Sequence, residues 1–444
     1  MEKESVIYKE HTEQLDIPDE FLFGAGVSGM QVEGDDHNSD WSDSTFGRSA
    51  EKRAKEASQH TDYGNNNGRE LPQELWDRIK SKAKDKDNYK RGRSLGWEQD
   101  GYIEDLDIAQ DLGLQMVRTS VERSRIEPQE DNFDPKVILH YRRFIDDCIQ
   151  RGIEPVMTLF HFASPLWFSE KGGFESKGAD VNFAEYVEKL LKALNRDIKY
   201  IIILNEPDLY TSMGYLQGKW PPCKRSLIHA KKVRKNLIET HKRSYSKIKG
   251  IYGDSVEVST SIPLLHVEPS SNSFKDRLGA KIVRTLSNDF FLPQLVGDMD
   301  FIGLNHYMHN VHKGINPQKN NFQNPDVEPR SDLGWYLNPE SIYHILMSLE
   351  RYRLPIIITE NGVADSKDRQ RSWFLKESLY NVMRALSEGV DVRGYIHWSL
   401  VSNFELHEGW LGDFGLIGFD PQTGERTVRE SAREYQKIIA ERKV

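Results

Sequence analysis

The chain has 444 residues, with 60 Lys and Arg against 69 Asp and Glu (a formal net charge of −9), 37% hydrophobic and 29% charged residues. That balance suits a large soluble globular unit and excludes a disordered chain. With no long basic stripe and no apolar run near the roughly 20 residues of a membrane helix, neither nucleic acid nor a membrane is an expected partner.

The opening "MEKESVIYKEHTEQLDIPDEF" is polar and acidic, unlike a secretory leader. The only cysteines, Cys148 and Cys223, are too few for a disulfide framework or a Cys-based zinc site and are compatible with a reducing compartment. A cytoplasmic protein is expected.

In chain order, short apolar, β-rich segments follow: "FLFGAG" (21–26), "QMVRTSV" (115–121), "IEPVMTLF" (153–160), "YIIILNEP" (200–207), "SVEVSTSIPL" (255–264), "DFIGLNHY" (300–307), "PIIITENG" (355–362) and "VRGYIHWSL" (392–400). Between them run stretches of helical periodicity, among them 103–113, 140–152, 183–195, 234–250 and 372–389. Several end on Gly, as helix C-termini often do. Alternating strands and helices imply a parallel sheet, and eight such units suit a single (β/α)8 TIM barrel spanning 1–444. Residues 48–95, charged and polar throughout, break the alternation and read as a solvated loop insertion at the barrel mouth, with a short helix at 72–82.

Three motifs are tested against their context. "GAGVSG" (24–29) matches the GxGxxG dinucleotide fingerprint, but the loop-like residues after it lack the helical stripe that the fingerprint requires. His306, His309 and His312 in "NHYMHNVH" alternate faces on an extended segment, so a metal site made of all three is not expected; they read as structural or surface histidines. No HExxH, GxSxG or P-loop occurs, which removes the zinc-peptidase, serine-hydrolase and nucleotide-hydrolase readings.

A pair of carboxylates remains. Glu206 ends the fourth strand in "ILNEP" and Glu360 the seventh in "ITENG", so a barrel brings both to one rim. Either alone could be a solvated strand-end acid. Together, each beside an Asn and behind an apolar β-branched run, they match what glycosidic bond cleavage needs: a protonated carboxyl for the leaving oxygen and an ionised one for the anomeric carbon.

From about Phe21 to Tyr435 the chain resembles glycoside hydrolase family 1, the β-glucosidase and β-galactosidase family. "FLFGAGVSGMQVEG", "ILNEP", "ITENG" and "HWSLVSNFE" carry the resemblance. Residue by residue it implies that Glu206 is the general acid/base and Glu360 the nucleophile. Asn205 falls on the contact to the sugar 2-hydroxyl, and Arg118 and Tyr307 on the groups that hold the nucleophile ionised and oriented. Gln31, His161, Asn305 and Glu405 fall on substrate-binding positions, Trp398 on the stacking platform and Trp335 on the aglycone wall. The resemblance implies a retaining double displacement without metal or cofactor, acting on a small oligosaccharide or an aryl or alkyl β-glycoside.

The chain departs from the family pattern at four places: Leu406 stands for a Trp after Glu405, Phe162 for a Trp after His161, His306 for a Tyr or similar residue, and Arg123 for a Trp. All four are expected in the pocket wall, with Trp410 partly refilling the space at Leu406. Glu405 and Asp413 stand near the stretch where the phosphorylated-sugar branch has a Ser and a Lys, and are expected to repel a phosphate. The expectation is an exo-acting β-glycosidase for unphosphorylated glucosides, galactosides or fucosides; the alternative is a carbohydrate-binding barrel weakened in turnover.

Overall fold

A computed structural model describes residues 11, 13–34, 37–42, 95–316 and 329–444. The proposed insertion at 48–95, with its helix at 72–82, lies outside the described residues apart from Leu95. Eight parallel strands close a barrel: β1 (Leu22–Gly26), β2 (Met116–Ser120), β3 (Glu154–Thr158), β4 (Tyr200–Asn205), β5 (Glu257–Pro263), β6 (Ile302–Asn305), β7 (Ile356–Asn361) and β8 (Val392–Trp398). Each pairs with its chain neighbour, and β8 closes on β1, the topology of a (β/α)8 TIM barrel.

Strands buried on both faces need apolar side chains on both, and β4 and β7 are buried at every position. Met116, Val156, Tyr200, Ile202, Phe301, Ile357 and Ile396 form a compact apolar cluster, with Leu22 packed against it, that draws on six of the eight strands and the entry to β6. The larger apolar cluster lies between barrel and helices.

The five helices expected from periodicity form, as α1 (Tyr102–Asp111), α2 (Pro135–Gln150), α3 (Ala179–Leu194), α4 (Leu227–Tyr252) and α7 (Arg371–Ser387). Between α4 and α7 come α5 (Phe274–Asn288) and α6 (Ser341–Leu349), and α8 (Glu430–Glu441) follows β8. Helix α2 begins five residues before its expected start because Asp134 caps it, accepting the Lys136 N–H at 2.8 Å, with Pro135 in the first turn. Among the described residues no helix is long and apolar enough to cross a membrane.

The "GAGVSG" segment is explained by packing. A Cβ on Gly24 would sit 2.6 Å from the Met116 carbonyl oxygen of β2, so strand β1 needs glycine there for close approach. A helix does open on Gly29, against the expectation of loop, but it is a single turn, Gly29–Val32.

Two irregularities in register sit where β4 and β7 end. Between β4 and β5 the pairing slips between Ile202 and Asn205, and between β6 and β7 it slips after Leu304, so that Asn305 faces Glu360. Bulges re-aim side chains that strict alternation would send to opposite faces. Consecutive residues Thr359 and Glu360 accordingly both bond to groups at the barrel mouth.

Candidate active site

The strand tips open into a cavity of about 700 Å³. Gln31, His161, Asn205, Glu206, Asn305, Tyr307, Trp335, Glu360, Trp398 and Glu405 all line it. Arg118 lies directly behind, fully buried on β2.

Arg118 organises the floor. Its Nη1 donates to Glu360 Oε1 at 2.5 Å and to the Thr359 carbonyl at 3.0 Å, Nε to Thr158 Oγ1 at 3.1 Å, and Nη2 to Asn205 Oδ1 at 2.8 Å. The Tyr307 hydroxyl donates to the other oxygen of Glu360 at 2.9 Å. Each oxygen of this buried carboxylate thus has a fixed donor, and one of the two carries a full positive charge.

Glu206 is held differently. It has left-handed backbone, φ +44°, directly after β4, an uncommon conformation for a residue with a side chain, and it caps the short helix Pro207–Thr211. Its Oε1 accepts from Asn305 Nδ2 at 2.8 Å, and the same amide donates to Asn205 Oδ1 at 3.2 Å. Asn305 Oδ1 accepts in turn from Thr359 Oγ1 at 2.7 Å. A continuous buried network therefore joins both carboxylates through Asn305, Thr359, Asn205 and Arg118.

The electrostatics separate the two acids. Burial first, then the neighbouring charge of Glu360, pushes the Glu206 carboxyl above the usual range, while the Asn305 hydrogen bond and the Arg118 charge act against that shift. A neutral carboxyl beside a carboxylate that carries a guanidinium and a phenol is an arrangement able to give a proton from one side and present negative charge on the other.

The surrounding wall is polar on one side and aromatic on the other. Gln31 Nε2 donates to Glu405 Oε2 at 3.0 Å, and its Oε1 accepts from Ser28 Oγ at 2.8 Å. Burial raises Glu405 to about 7, with the Gln31 hydrogen bond opposing. Asn205 Nδ2 donates to His161 Nε2 at 3.2 Å, and burial together with the charge of Arg118 keeps that imidazole neutral. Its ring stacks on Trp398, with centroids 5.8 Å apart. Trp335 and Tyr307 pack on the cluster formed by Leu333, Ala364, Trp398, Leu411 and Phe414.

Two of the four departures are in the wall and two are not. Phe162 and Leu406 line the cavity, both with positive φ (+71° and +46°). Arg123 is a buried structural residue instead. It donates to Glu127 Oε2 at 2.8 Å and lies over the rings of Tyr186 (4.5 Å), Trp167 and Phe168 (both 5.0 Å). His306 is also buried behind the wall, between the Leu264 carbonyl (2.8 Å) and Ser341 Oγ (2.7 Å).

Two further expectations need correction. Asp413 does not line the cavity: it faces Arg429 at 2.6 Å and accepts from Ser402 Oγ at 2.7 Å, so it is not positioned against a phosphate. Trp410 does not refill the space at Leu406 but packs on Phe404 and Phe419, with ring centroids 6.0 and 6.4 Å away. The histidines at 306, 309 and 312 are all buried rather than surface residues, and they do not gather into one site.

Sequence reasoning missed His407, Glu408, Trp220, Lys219, Asp208 and Arg234, all of which line the cavity. Trp220 Nε1 donates to His407 Nδ1 at 3.0 Å, and His407 Nε2 lies 3.0 Å from Glu408 Oε1. Glu408, raised to about 8 by burial, adds an acid beside Leu406. Of these residues the "LHEGW" run signals only His407 and Glu408, and it does not tell which side chains turn inward.

The comparisons with known proteins agree with this geometry. The model of the family described as "Glycosyl hydrolase family 1" matches residues 13–298 and 292–444. Beta-glucosidase A of Thermotoga maritima is 29% identical over 379 residues, covering 76% of this chain and 84% of that protein. The beta-galactosidase of Saccharolobus solfataricus is 29% identical over 399 residues, covering 75% and 81%. Among solved structures, the beta-glycosidase from Pyrococcus horikoshii superimposes with a TM-score of 0.81 at 31% identity, covering 97% of this chain and 96% of the other. Matching along its length, eight-stranded barrel and carboxylate-lined cavity make the chain a β-glycosidase belonging to glycosyl hydrolase family 1.

Proposed function

We propose that the protein is an exo-acting, retaining hydrolase of unphosphorylated β-D-glycosides, with glucosides, galactosides and fucosides as its glycone range. The observation that carries this reading is the single hydrogen-bond network in which Arg118 and Tyr307 hold Glu360 while Asn305 holds Glu206. In the first step Glu360 attacks the anomeric carbon as Glu206 gives its proton to the leaving oxygen, forming a glycosyl ester and a free alcohol. In the second step Glu206, now ionised, takes a proton from water, the water oxygen bonds to the anomeric carbon, and the ester bond breaks.

Asn205, tied to Arg118 and His161, is suited to the sugar 2-hydroxyl, a contact that strengthens as positive charge develops on the ring. Gln31 and Glu405 together offer a donor and an acceptor to the outer hydroxyls, and Trp398 an apolar face. Glu405, a carboxyl group that accepts from Gln31 and offers a phosphate no positive charge, argues against a phosphorylated glycone. Imported oligosaccharides and aryl or alkyl glycosides, met in the cytoplasm, are the substrates this reading favours.

The test is Glu360→Gly. Hydrolysis of nitrophenyl β-glycosides should vanish and return on addition of azide or formate, which occupies the space of the lost carboxylate. Azide should yield a glycosyl azide of the anomeric configuration opposite to the substrate's. Undiminished activity in the variant without added anion removes the assignment.

A further inference from the structure

The segments leaving β5 and β6 pair outside the barrel as a short parallel ladder, His266–Pro269 against His309–His312, with His266 opposite His309. Residues opposite one another in register share a face, and so does Glu268, two positions beyond His266. The two imidazoles accordingly lie side by side, ring centroids 4.9 Å apart. Glu268 meets both: Oε1 is 3.1 Å from His266 Nε2, and Oε2 is 3.2 Å from His309 Nε2. All three potential ligand atoms lie within 4.8 Å of one another.

We infer that His266, Glu268 and His309 form a binding site for a divalent cation of the zinc class, separate from the sugar cavity. Two imidazoles and one carboxylate are a donor set for Zn²⁺, with water as a fourth ligand, whereas Mg²⁺ favours oxygen alone. Each imidazole faces its own oxygen of Glu268, so an ion would turn one carboxylate oxygen toward both rings and draw donor atoms that lie within 4.8 Å of one another to the about 3.3 Å edge of a tetrahedron with bonds of about 2.0–2.1 Å. His309 and His266 are 5% and 14% exposed at their side chains and Glu268 47%, so the cup is walled by protein and open through the carboxylate.

Neighbouring side chains hold both rings in place. Asn338 Nδ2 lies 3.0 Å from His309 Nδ1, and a side-chain amide turned about can accept the Nδ1–H of a metal-bound ring. His344 stacks on His266, with centroids 4.8 Å apart and planes 15° apart. A bound ion would pin the exits of β5 and β6, which carry cavity residues Pro263–Leu265 and Tyr307–Met308.

The deciding measurement is calorimetric titration of chelator-stripped, full-length enzyme with Zn²⁺ and with Mg²⁺. The wild type should bind one more Zn²⁺ equivalent than the double variant His266→Ala/His309→Ala, and Co²⁺ should give visible d–d absorption only in the wild type. Asn338→Ala should weaken the same site about 10–100-fold. The double variant should keep its circular dichroism and its hydrolysis of nitrophenyl glycosides. Equal Zn²⁺ stoichiometry and affinity in wild type and double variant overturns the inference, as does Mg²⁺ binding there as tightly as Zn²⁺. Should the double variant not fold, Glu268→Gln decides, and unchanged Zn²⁺ affinity in it is a negative result. None of these outcomes bears on the roles proposed for Glu206 and Glu360.

Discussion

Tyr307→Phe removes one oxygen and little else. The ring's neighbours, Trp335 and Phe414 with centroids 6.2 and 6.0 Å away, are kept, while Glu360 Oε2 loses its donor at 2.9 Å and Oε1 keeps Arg118 at 2.5 Å. A hydrogen bond to a charged group contributes about 1.5–3 kcal/mol. The 2.9 Å separation exceeds the about 2.5–2.7 Å of the strongest O–H···O⁻ bonds, which points to the lower half of that range, about 1.5–2 kcal/mol. At 1.36 kcal/mol per decade, kcat/KM should fall about 10–30-fold. Steady-state kinetics on a nitrophenyl β-glycoside, with circular dichroism to confirm folding, measures it. Because Tyr307 and Arg118 hold the same carboxylate, the double variant Tyr307→Phe/Arg118→Lys should depart from additivity. A change in kcat/KM of less than twofold, or strict additivity, would refute the picture of one carboxylate shared by two donors.

Glu206→Gln bears on both activity and stability. Burial and the Glu360 charge raise the Glu206 pKa above its ordinary 4.5, so the folded protein keeps a proton that the unfolded chain releases as pH rises. Wild-type stability should fall with rising pH from that point until Glu206 ionises in the folded state, and Gln carries no such proton. The variant's advantage in urea midpoint should be near zero at about pH 4 and larger at about pH 8, whereas equal offsets would contradict the assignment. Trp335→Ala removes the aromatic face of the outer wall and should raise KM for aryl glycosides about 2–12-fold, the equivalent of about 0.5–1.5 kcal/mol, while leaving KM for methyl glycosides nearly unchanged. Ile357→Ala, in the cluster of strand side chains, should cost about 2–5 kcal/mol in urea unfolding, and a loss below about 1 kcal/mol would mean that the cluster is loosely packed.

All eight strands were legible, to within two residues at each end, because a strand buried on both faces writes an apolar run into the sequence. Helix starts were less so. Leu227 and Ile228 open α4 with 71% and 78% of their surface exposed, so its first two apolar residues lie off the core-facing stripe, which starts at Ala230 and Val233. The two carboxylates were legible because each ends such a run. The bulges that aim them were not, since a bulge is a property of the pairing with a neighbouring strand. The same limit explains Arg123, His306, Asp413 and Trp410: nearness to a strand exit in sequence does not say whether a side chain turns into the cavity. His266 and Glu268 lie some 40 residues before His309 and meet it only through the ladder outside the barrel.

The cavity divides into two mechanical parts, and a single substitution can tell them apart. Arg118, Asn205, Asn305 and Glu360 sit on strands, locked by the barrel's register, whereas Phe162 and Leu406 sit on exit loops in left-handed backbone. Changes to the first group should act on kcat, because their contacts hold the charges that change during reaction; changes to the second should act on KM. Leu406→Trp adds an indole N–H at a buried wall position. A hydrogen bond to a neutral sugar hydroxyl contributes about 0.5–1.5 kcal/mol, so KM should fall about 2–12-fold for the glycone that offers a hydroxyl there, and less for its epimer. Forcing the larger ring into a buried site should cost about 1–3 kcal/mol of stability. Kinetics on paired glucoside and galactoside substrates separate the two contributions. If kcat collapsed for every sugar while KM stayed fixed, the loop at Leu406 would be part of the charge-holding network, and the division between rigid strand tips and adjustable exit loops would be wrong.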